Sequence, residues 1–255
     1  MSARIALEIA AGSLASALAA QEGGADRVEL CENLAEGGCT PSHGTLALAR
    51  ERLRIPLYVL IRPRGGDFVY DPAEREVMLR DIEHCVRLGC DGVVIGALDA
   101  HGEVDMATCT ALRAAAGTLG TTFHRAIDVA ADPARALEAA IALGCDRVLT
   151  SGGQDSAPAG AAGIRALVAQ AAGRIRIMAG AGIEAANVGE LLRHSAADEV
   201  HASARAWQRP VHPQRAAVAG LDAAWLQTNP TRVRALREAL DRHADEGSRH
   251  LPHLV

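Results

Sequence analysis

Short apolar runs recur along the chain, and each is separated from the next by a longer segment in which apolar residues have helical spacing. The runs are rich in Val, Ile and Leu, as in LGCDGVVIG and LGCDRVLTSGG. Asp71-Pro72 and Asp132-Pro133 are typical helix starts, and Gly89 and Gly144 lie where left-handed helix caps are expected. Eight such runs begin near Arg4, Arg27, Pro56, Gly92, Gly120, Asp146, Arg174 and Asp198.

Eight strand–helix repeats predict an α/β fold, a (β/α)8 TIM barrel that forms one domain over residues 1–255. We expect the barrel core to extend from about residue 4 to about residue 205. The remaining residues, from about 206 to 255, should add a C-terminal helical extension, with an amphipathic helix near 231–243 and a polar tail. In such barrels the carboxyl ends of the strands bear the functional residues.

Alternation along the predicted strands identifies the side chains that face the barrel interior. In IALEIA, Ile5, Leu7 and Ile9 form an apolar face toward the helices, which leaves Glu8 inside with Ala10. The same reasoning places a set of charged and polar residues in the interior: Arg27, Glu29, Cys31, Arg62, Arg64, Glu199, His201 and Ser203. Buried charges need partners, so the sequence predicts a layer of Glu, Arg and His side chains.

Composition narrows the functional classes. Hydrophobic residues make up 49% of the chain and aromatic residues 2%, so the core must be aliphatic. The net charge is −5 with both signs interspersed, which argues against nucleic-acid and membrane partners. The N-terminal residues do not have the pattern of a signal peptide, and six cysteines without a CxxC pair favour reduced thiols. We therefore expect a cytoplasmic protein.

The chain contains no lysine, so all 26 residues counted as Lys plus Arg are arginine. Schiff-base aldolases, lysine-anchored pyridoxal phosphate enzymes and Walker-type nucleotide sites all need a lysine amine. The sequence excludes these chemistries.

Two glycine turns follow the sixth and seventh predicted strands. They are Ser151-Gly152-Gly153 and Gly180-Ala181-Gly182, and each leads toward a helix. Glycine allows backbone N–H groups to approach an anion, and the helix dipole adds to the attraction. The turns predict an anion-binding site, with tight strand-to-helix corners as the alternative.

Arginine and histidine residues close three of the strands. Arg62 and Arg64 follow the third strand, where they either bind a carboxylate or phosphate, or leave Arg62 paired with a glutamate inside the barrel. His124 closes the fifth strand and is a candidate general acid or base, with a structural hydrogen-bonding role as the alternative. The ends of the fifth and eighth strands supply Arg125 and His201 as further catalytic candidates, and Arg205 as an anion-binding candidate.

Glu8 and Glu29 lie at similar depth on adjacent strands. They form either a catalytic carboxylate pair or salt bridges to the inward arginines. Cys31 ends the second strand on the pocket side. One thiolate alone is a poor metal site, because copper(I) requires at least two soft ligands.

The strand-end segments together resemble the CutC family. They are LEIAAGSLASALAAQEGGADRVELCENLAEGGCTPSHGTL, IRPRGGDFVY, DGVVIGALDAHGEVD, TFHRAIDVAADPARALE, RVLTSGGQDSA, IMAGAGI and HASAR, and they occur in order over roughly residues 5–205. The resemblance implies a cytosolic (β/α)8 barrel, a homo-oligomer (dimer or tetramer), and a role in copper homeostasis. It points to a shared pocket made of Glu8, Glu29, Arg62, Arg64, His124, Arg125 and the two glycine turns.

The resemblance also implies a copper(I) site, because members proposed to bind this ion pair a cysteine ending strand one with a cysteine ending strand two. Here the second position is Cys31, the first is Ala10, and Cys39 in a nearby loop is a substitute ligand. Two hypotheses follow. One is a copper-homeostasis protein that acts by binding copper or through metabolism, and the other is a metal-independent enzyme that uses acid/base chemistry on a small anionic substrate.

Overall fold

A computed structural model describes residues 4–209 and 224–249. Eight parallel strands form a closed barrel in chain order, each hydrogen-bonded to the next and β8 to β1. The strands are β1 (Ala6–Ala11), β2 (Arg27–Leu30), β3 (Leu57–Leu60), β4 (Gly92–Ile95), β5 (Gly120–Phe123), β6 (Arg147–Thr150), β7 (Arg176–Gly180) and β8 (Glu199–Ala202). The predicted TIM barrel is confirmed.

Helices alternate with the barrel strands. They are α1 (Leu14–Glu22), α2 (His43–Arg52), α3 (Pro72–Leu88), α4 (Met106–Ala116), α5 (Pro133–Ala142), α6 (Ala161–Ala171), α7 (Val188–Ser195) and α8 (Pro230–Arg249). Asp71 caps α3 in a reciprocal capping box with Glu74, and Gly89 ends that helix with a φ of 71°. The predicted helix starts and ends therefore have their expected local causes.

The C-terminal extension differs from the prediction in two respects. The final helix, α8, begins at Pro230 and extends to Arg249, so it is longer than the predicted 231–243 segment. Before it, β9 (Arg205–Gln208) and β10 (Trp225–Thr228) form an antiparallel ribbon that the sequence pattern did not predict. Residues 244–249, predicted as the start of a polar tail, belong to α8, and residues 250–255 lie outside the described residues.

Aspartate side chains connect neighbouring strands at the amino end of the barrel. Asp26, Asp91, Asp146 and Asp198 each precede an even-numbered strand and accept the backbone N–H at or near the start of the strand before it, at 2.7 to 2.8 Å. All but Asp198 belong to the recurring Gly-x-Asp phrase. Each of these hydrogen bonds ties the loop before one strand to the start of the neighbouring strand and is worth about 1 kcal/mol.

Charged residues and one tyrosine fill the amino half of the barrel interior. The Glu199 carboxylate accepts from Arg27 at 2.6 Å, Arg147 at 3.1 Å and Arg176 at 3.0 Å. Arg27 also pairs with Glu8. The predicted layer of Glu, Arg and His is confirmed, since His201 joins it through Glu8.

Tyr58 occupies the space beside this layer. A Cβ atom at Gly92 would lie 2.2 Å from the tyrosine ring, and one at Gly120 would lie 2.0 Å from its hydroxyl. The Arg27 and Arg147 guanidiniums each lie 5.0 Å from the ring centroid, within cation–π range. The two strand-initiating glycines thus make room for an aromatic ring beside the charged layer.

Candidate functional site

A cavity of about 900 Å³ opens at the carboxyl ends of the strands. Its polar lining comes from several barrel strands and the loops after them, and α8 closes one side. The lining includes Ala10, Glu29, Leu60, Arg62, Phe68, His124, Arg125, Asp128, Gly182, Ile183, His201, Ser203, Arg205 and Arg232. This is the position at which TIM barrels carry their functional residues.

His201 lies between two buried carboxylates at the base of the cavity. Strand register sets Glu8 beside both Arg27 and His201. The His201 Nδ1 atom is 2.8 Å from Oε1 of Glu8, and its Nε2 atom is 3.5 Å from Oε2 of Glu29. Glu8 and Glu29 are therefore joined through one imidazole ring, and only Glu8 pairs directly with an arginine.

The pKa values of the two carboxyl groups are shifted in opposite directions. Burial favours neutral Glu8, but the Arg27 charge and the His201 hydrogen bond outweigh it and lower the pKa of Glu8 well below its usual value. Burial raises the pKa of Glu29 to about 7, with a further contribution from Glu8, although the His201 charge opposes the rise. Burial also favours a neutral His201 ring, but Glu29 and Glu8 raise its pKa overall. Glu8 is ionised at neutral pH, whereas Glu29 is poised between its two forms.

Of Glu8, Glu29 and His201, Glu29 has the fewest polar contacts with other side chains in the described part of the chain. It lines the cavity and accepts no hydrogen bond from any described residue, and its one ion contact there is with His201. A carboxyl with a pKa near neutrality, open to a ligand cavity, has the properties of a general acid or base.

His124 closes β5, as predicted, but its ring is neutral and covered. Its Nδ1 atom accepts the Ala126 N–H at 3.2 Å, and the Phe68 ring packs on it at a centroid distance of 4.9 Å. Burial, with the Arg62 charge, lowers the pKa of His124 to about 3. The geometry therefore does not favour His124 as a proton acceptor.

Arg62 lies in the cavity wall but contacts no glutamate side chain. Its guanidinium donates to the backbone carbonyls of Glu36 at 2.8 Å, Gly38 at 2.9 Å and Gly66 at 2.6 Å. The alternative of an Arg62–glutamate pair inside the barrel is wrong, because β3 ends at Leu60 and strand alternation does not extend to residue 62. Binding of a ligand anion by Arg62 stays a prediction.

Arg64 lies outside the cavity lining, which corrects its expected position. Its side chain bonds Glu74 at the start of α3 and lies 3.0 Å from Asp67. The chain has left the barrel wall by this residue, so the inward direction inferred from alternation does not hold.

The glycine turn after β6 binds the side-chain carboxylate of Asp128. The Asp128 carboxylate accepts the Ser151 N–H at 3.0 Å, the Gly153 N–H at 3.1 Å and the Thr150 hydroxyl at 2.5 Å. Arg125 completes the ring of donors at 2.8 Å. The predicted anion site at Ser151, Gly152 and Gly153 is thus occupied by Asp128, and the Gly152 N–H itself donates to the Thr150 hydroxyl.

The turn after β7, unlike the turn after β6, has backbone N–H groups that are not hydrogen-bonded to an aspartate. A Cβ atom at Gly180 would lie 2.5 Å from Leu149, and Gly182 has a φ of 67°, so both positions favour glycine. The backbone N–H groups of Gly182 and Ile183 donate to no acceptor in the described ranges. Both residues line the cavity.

Two arginines on the same side of the cavity have no carboxylate partner among the residues that the structure describes. Arg205 donates through Nε to the Ser203 hydroxyl at 3.3 Å, and Arg232 donates to the Arg205 carbonyl. Strand-end position indicated Arg205 but not Arg232, because nothing in the sequence pattern of α8 indicates that its first turn closes the barrel mouth. This wall can bind an anion.

The copper(I) site implied by the family resemblance does not fit the residues present. Cys31 is fully buried, its Sγ atom faces the Ala11 carbonyl at 3.7 Å, and Ala10 offers no ligand. Burial, with the nearby Glu29 charge, raises the pKa of the Cys31 thiol well above its usual value. Within residues 4–209 and 224–249, no group of three or more His, Cys, Asp or Glu side chains is arranged to hold a metal ion.

None of the helices in the described ranges combines the length and the apolar character needed to cross a bilayer.

Comparison with known proteins gives consistent matches along most of the chain. The model of the CutC family matches residues 5–206. The family protein CutC of Xanthomonas axonopodis pv. citri is 63% identical over 238 residues, covering 92% of this chain and 98% of that protein. The family protein CutC of Bacteroides thetaiotaomicron is 50% identical over 199 residues, covering 78% of this chain and 80% of that protein.

Solved structures give the same result for the fold. The CutC of Streptococcus agalactiae, named for copper homeostasis, superimposes with a TM-score of 0.74 at 34% identity and covers 78% of this chain and 98% of its own. A phosphoribosylanthranilate isomerase variant from Thermotoga maritima has a TM-score of 0.57 at 14% identity and covers 93% of this chain and 98% of its own. That second likeness shows the barrel fold alone.

Proposed function

This chain belongs to the CutC family, one solved member of which is named for copper homeostasis, but it lacks the cysteine pair that the resemblance implied. We propose that it is a metal-independent acid/base enzyme acting on a small anionic substrate. The observation that carries the proposal is Glu29, a cavity-lining carboxyl with its pKa raised to about 7. We expect the connection with copper to be indirect, through the metabolite that is converted.

Glu29 has the proton affinity that the proposed reaction requires. A general acid or base works best when its pKa lies near the working pH, because both protonation states are then accessible during one turnover. In its ionised form Glu29 would take a proton from the bound substrate. In its neutral form it would return a proton to the product.

His201 and Glu8 act as positioning residues in this scheme. Glu8 stays ionised beside Arg27 and holds Nδ1 of His201, which directs Nε2 toward Glu29. Because His201 carries positive charge when Glu29 is ionised, it limits the rise that burial imposes on the pKa of Glu29. His201 and Glu8 together keep the pKa of Glu29 near 7, so that Glu29 is not fully protonated at neutral pH.

The anionic part of the substrate would bind on the β7 and β8 side of the cavity. Arg205 and Arg232 supply guanidinium donors without internal carboxylate partners in the described part of the chain, and Gly182 and Ile183 supply backbone N–H groups. In barrels of this type the loops after strands seven and eight often bind phosphate.

The test uses solvent deuterium exchange, which detects proton abstraction even where the product is unidentified. The purified protein is incubated in D₂O with a panel of phosphorylated and carboxylated metabolites, and loss of substrate proton signals is followed by NMR. We expect exchange in at least one compound, and Glu29→Gln should reduce its rate at least about 100-fold. Glu36→Gln, which changes an exposed carboxyl on the cavity rim, should retain the parent rate.

Two results would contradict the proposal. One is exchange in Glu29→Gln at the parent rate, and the other is no exchange in any compound of a broad panel. The cytoplasmic location and the homo-oligomeric state expected from the sequence stay predictions, to be checked by cell fractionation and by light scattering of the purified protein.

A further inference from the structure

We infer that the cavity wall between β3 and β5 is a second binding subsite, in which Arg62 and His124 hold a carboxylate group of the ligand. The inference rests on the proposed function, because it assigns that carboxylate to the substrate of Glu29. It narrows the substrate class to small carboxylic acids that carry a further anionic group for the Arg205 side of the cavity.

The first observation is a pair of buried polar atoms without partners. Nε of Arg62 and Nε2 of His124 form no hydrogen bond with any described residue. Both side chains are only 4% exposed, and both line the cavity. Buried polar groups almost always have partners, so two such atoms in one wall require an explanation.

Both atoms are donors. Nδ1 of His124 accepts the Ala126 N–H, so the neutral ring carries its hydrogen on Nε2. Arg62 stays protonated and presents an Nε–H. A ligand that satisfies this wall must therefore supply acceptors.

Charge selects an anion over a neutral carbonyl. The Arg62 guanidinium is almost completely buried, and its other hydrogen bonds go to three backbone carbonyls. The Tyr70 hydroxyl lies close to it but is neutral, because burial raises the pKa of Tyr70 to about 12. In the part of the chain that the structure describes it has no carboxylate partner, and a buried cation without a counter-ion is unfavourable. A ligand carboxylate would supply the missing negative charge.

Shape favours a carboxylate over a phosphate at this position. The Phe68 ring lies against both residues, with its centroid 4.8 Å from the Arg62 guanidinium carbon and 4.9 Å from the His124 ring centroid. A planar carboxylate suits a wall formed by such rings and offers two oxygens, one for each donor. Both donor atoms are covered from solvent, so a ligand reaches them only when a neighbouring group such as Phe68 moves aside.

Binding of pyruvate, acetate and the neutral acetamide to the full chain tests the inference. Dissociation constants are measured by NMR titration at constant ionic strength, with chloride as the balancing anion. We expect pyruvate and acetate to bind, acetamide to bind at least about tenfold more weakly, and Arg62→Lys to weaken pyruvate binding at least about tenfold because it loses the Nε–H donor. Arg64→Lys is the matched control, since its side chain lies outside the cavity, and should change affinity less than about twofold.

A pair of histidine variants gives a second readout if Arg62→Lys fails to fold. His124→Asn keeps an acceptor near the position of Nδ1 and loses the donor, whereas His124→Gln keeps a donor near the position of Nε2. We expect pyruvate binding to be weaker in His124→Asn than in His124→Gln by about fivefold or more. Equal binding in these two variants, equal binding of pyruvate and acetamide, or no carboxylate binding by the parent at 50 mM (roughly the weakest affinity that one ion pair gives) overturns the inference.

Failure of the inference is distinguishable from failure of the proposed function. Deuterium exchange that depends on Glu29 but not on Arg62 or His124 leaves the enzyme proposal standing and removes this subsite. Carboxylate binding that depends on Arg62, together with no exchange in any compound, does the reverse.

Discussion

The Nδ1 atom of His201 in β8 lies 2.8 Å from Oε1 of Glu8 in the neighbouring strand β1. Residues 8 and 201 are far apart in the chain and meet only because β8 closes against β1. The contact fixes the imidazole so that its other nitrogen approaches Glu29. Barrel closure therefore places beside Glu29 a charge that limits the rise in its pKa caused by burial.

Replacement of His201 by glutamine should raise the pKa of Glu29 above about 7. The His201 charge favours ionised Glu29, and without it burial and the Glu8 charge are opposed only by the smaller effect of Arg27. We expect a rise of about one pH unit or more, measured by carbon NMR titration of protein labelled at the glutamate carboxyl carbon. The signal is assigned from its loss in Glu29→Gln, and an unchanged Glu29 titration in His201→Gln would contradict the arrangement.

Stability should fall as the pH rises from 5 to 8. The pKa of Glu29 is raised from 4.5 to about 7 in the folded protein, so its stabilising protonation is complete below 4.5 and lost as the pH rises toward 7. The raised pKa of His201 acts in the same direction. Glu8, whose pKa is lowered, acts oppositely, but its contribution is lost only as the pH falls below its ordinary value.

Glu29→Gln removes this effect, together with the part of the His201 pKa shift that the Glu29 charge causes. The interval from 4.5 to about 7 corresponds to a loss of about 3 kcal/mol, so the variant should gain up to that amount on the parent between pH 5 and pH 8. Urea unfolding at pH 5, 6, 7 and 8 measures it, with Glu36→Gln as the exposed control. Parallel pH curves for parent and Glu29→Gln would show that Glu29 titrates normally.

Much of the fold was predictable from the sequence because its causes are local. The Asp71 capping box, the Gly89 helix end and the alternation in β1 and β2 each involve residues within a few positions of one another. Alternation also identified Glu8 and Glu29 as interior residues. The family resemblance is confirmed by the match over residues 5–206.

The rest of the site depends on contacts that alternation cannot supply. β3 ends at Leu60, so the chain direction at Arg62 and Arg64 is set by loop contacts rather than by strand geometry. Asp128 meets Ser151 across 23 positions of the sequence, and only the fold shows that the predicted anion turn already holds a carboxylate. The neutral state of His124 likewise arises from burial beside Arg62.

Copper(I) binding should not depend on Cys31. The thiol is fully buried and the strand-one position is Ala10, so the strand-end pair lacks one cysteine. Cys39 lies near Cys31, but burial keeps the Cys31 thiol neutral, and a neutral thiol is a poor copper(I) ligand. We expect the reduced parent and Cys31→Ser to have equal stoichiometry and equal affinity in a copper(I) competition titration with a chromogenic chelator. Loss of one tightly bound copper equivalent in Cys31→Ser would restore Cys31 as a ligand.

Removal of the Asp128 carboxylate should open the turn after β6 to an external anion. In the parent this carboxylate satisfies the Ser151 and Gly153 N–H groups, the Thr150 hydroxyl and Arg125, so Asp128→Ala leaves several buried donors without an acceptor. We expect a loss of about 2–4 kcal/mol in the free energy of unfolding.

Because sulfate can take the place of the carboxylate, it should raise the melting temperature of Asp128→Ala more than that of the parent. Asp155→Ala, which changes an exposed aspartate after the same turn, should behave like the parent in both measurements. If sulfate stabilises Asp128→Ala and the parent equally, the turn needs its own aspartate and does not bind anions in general.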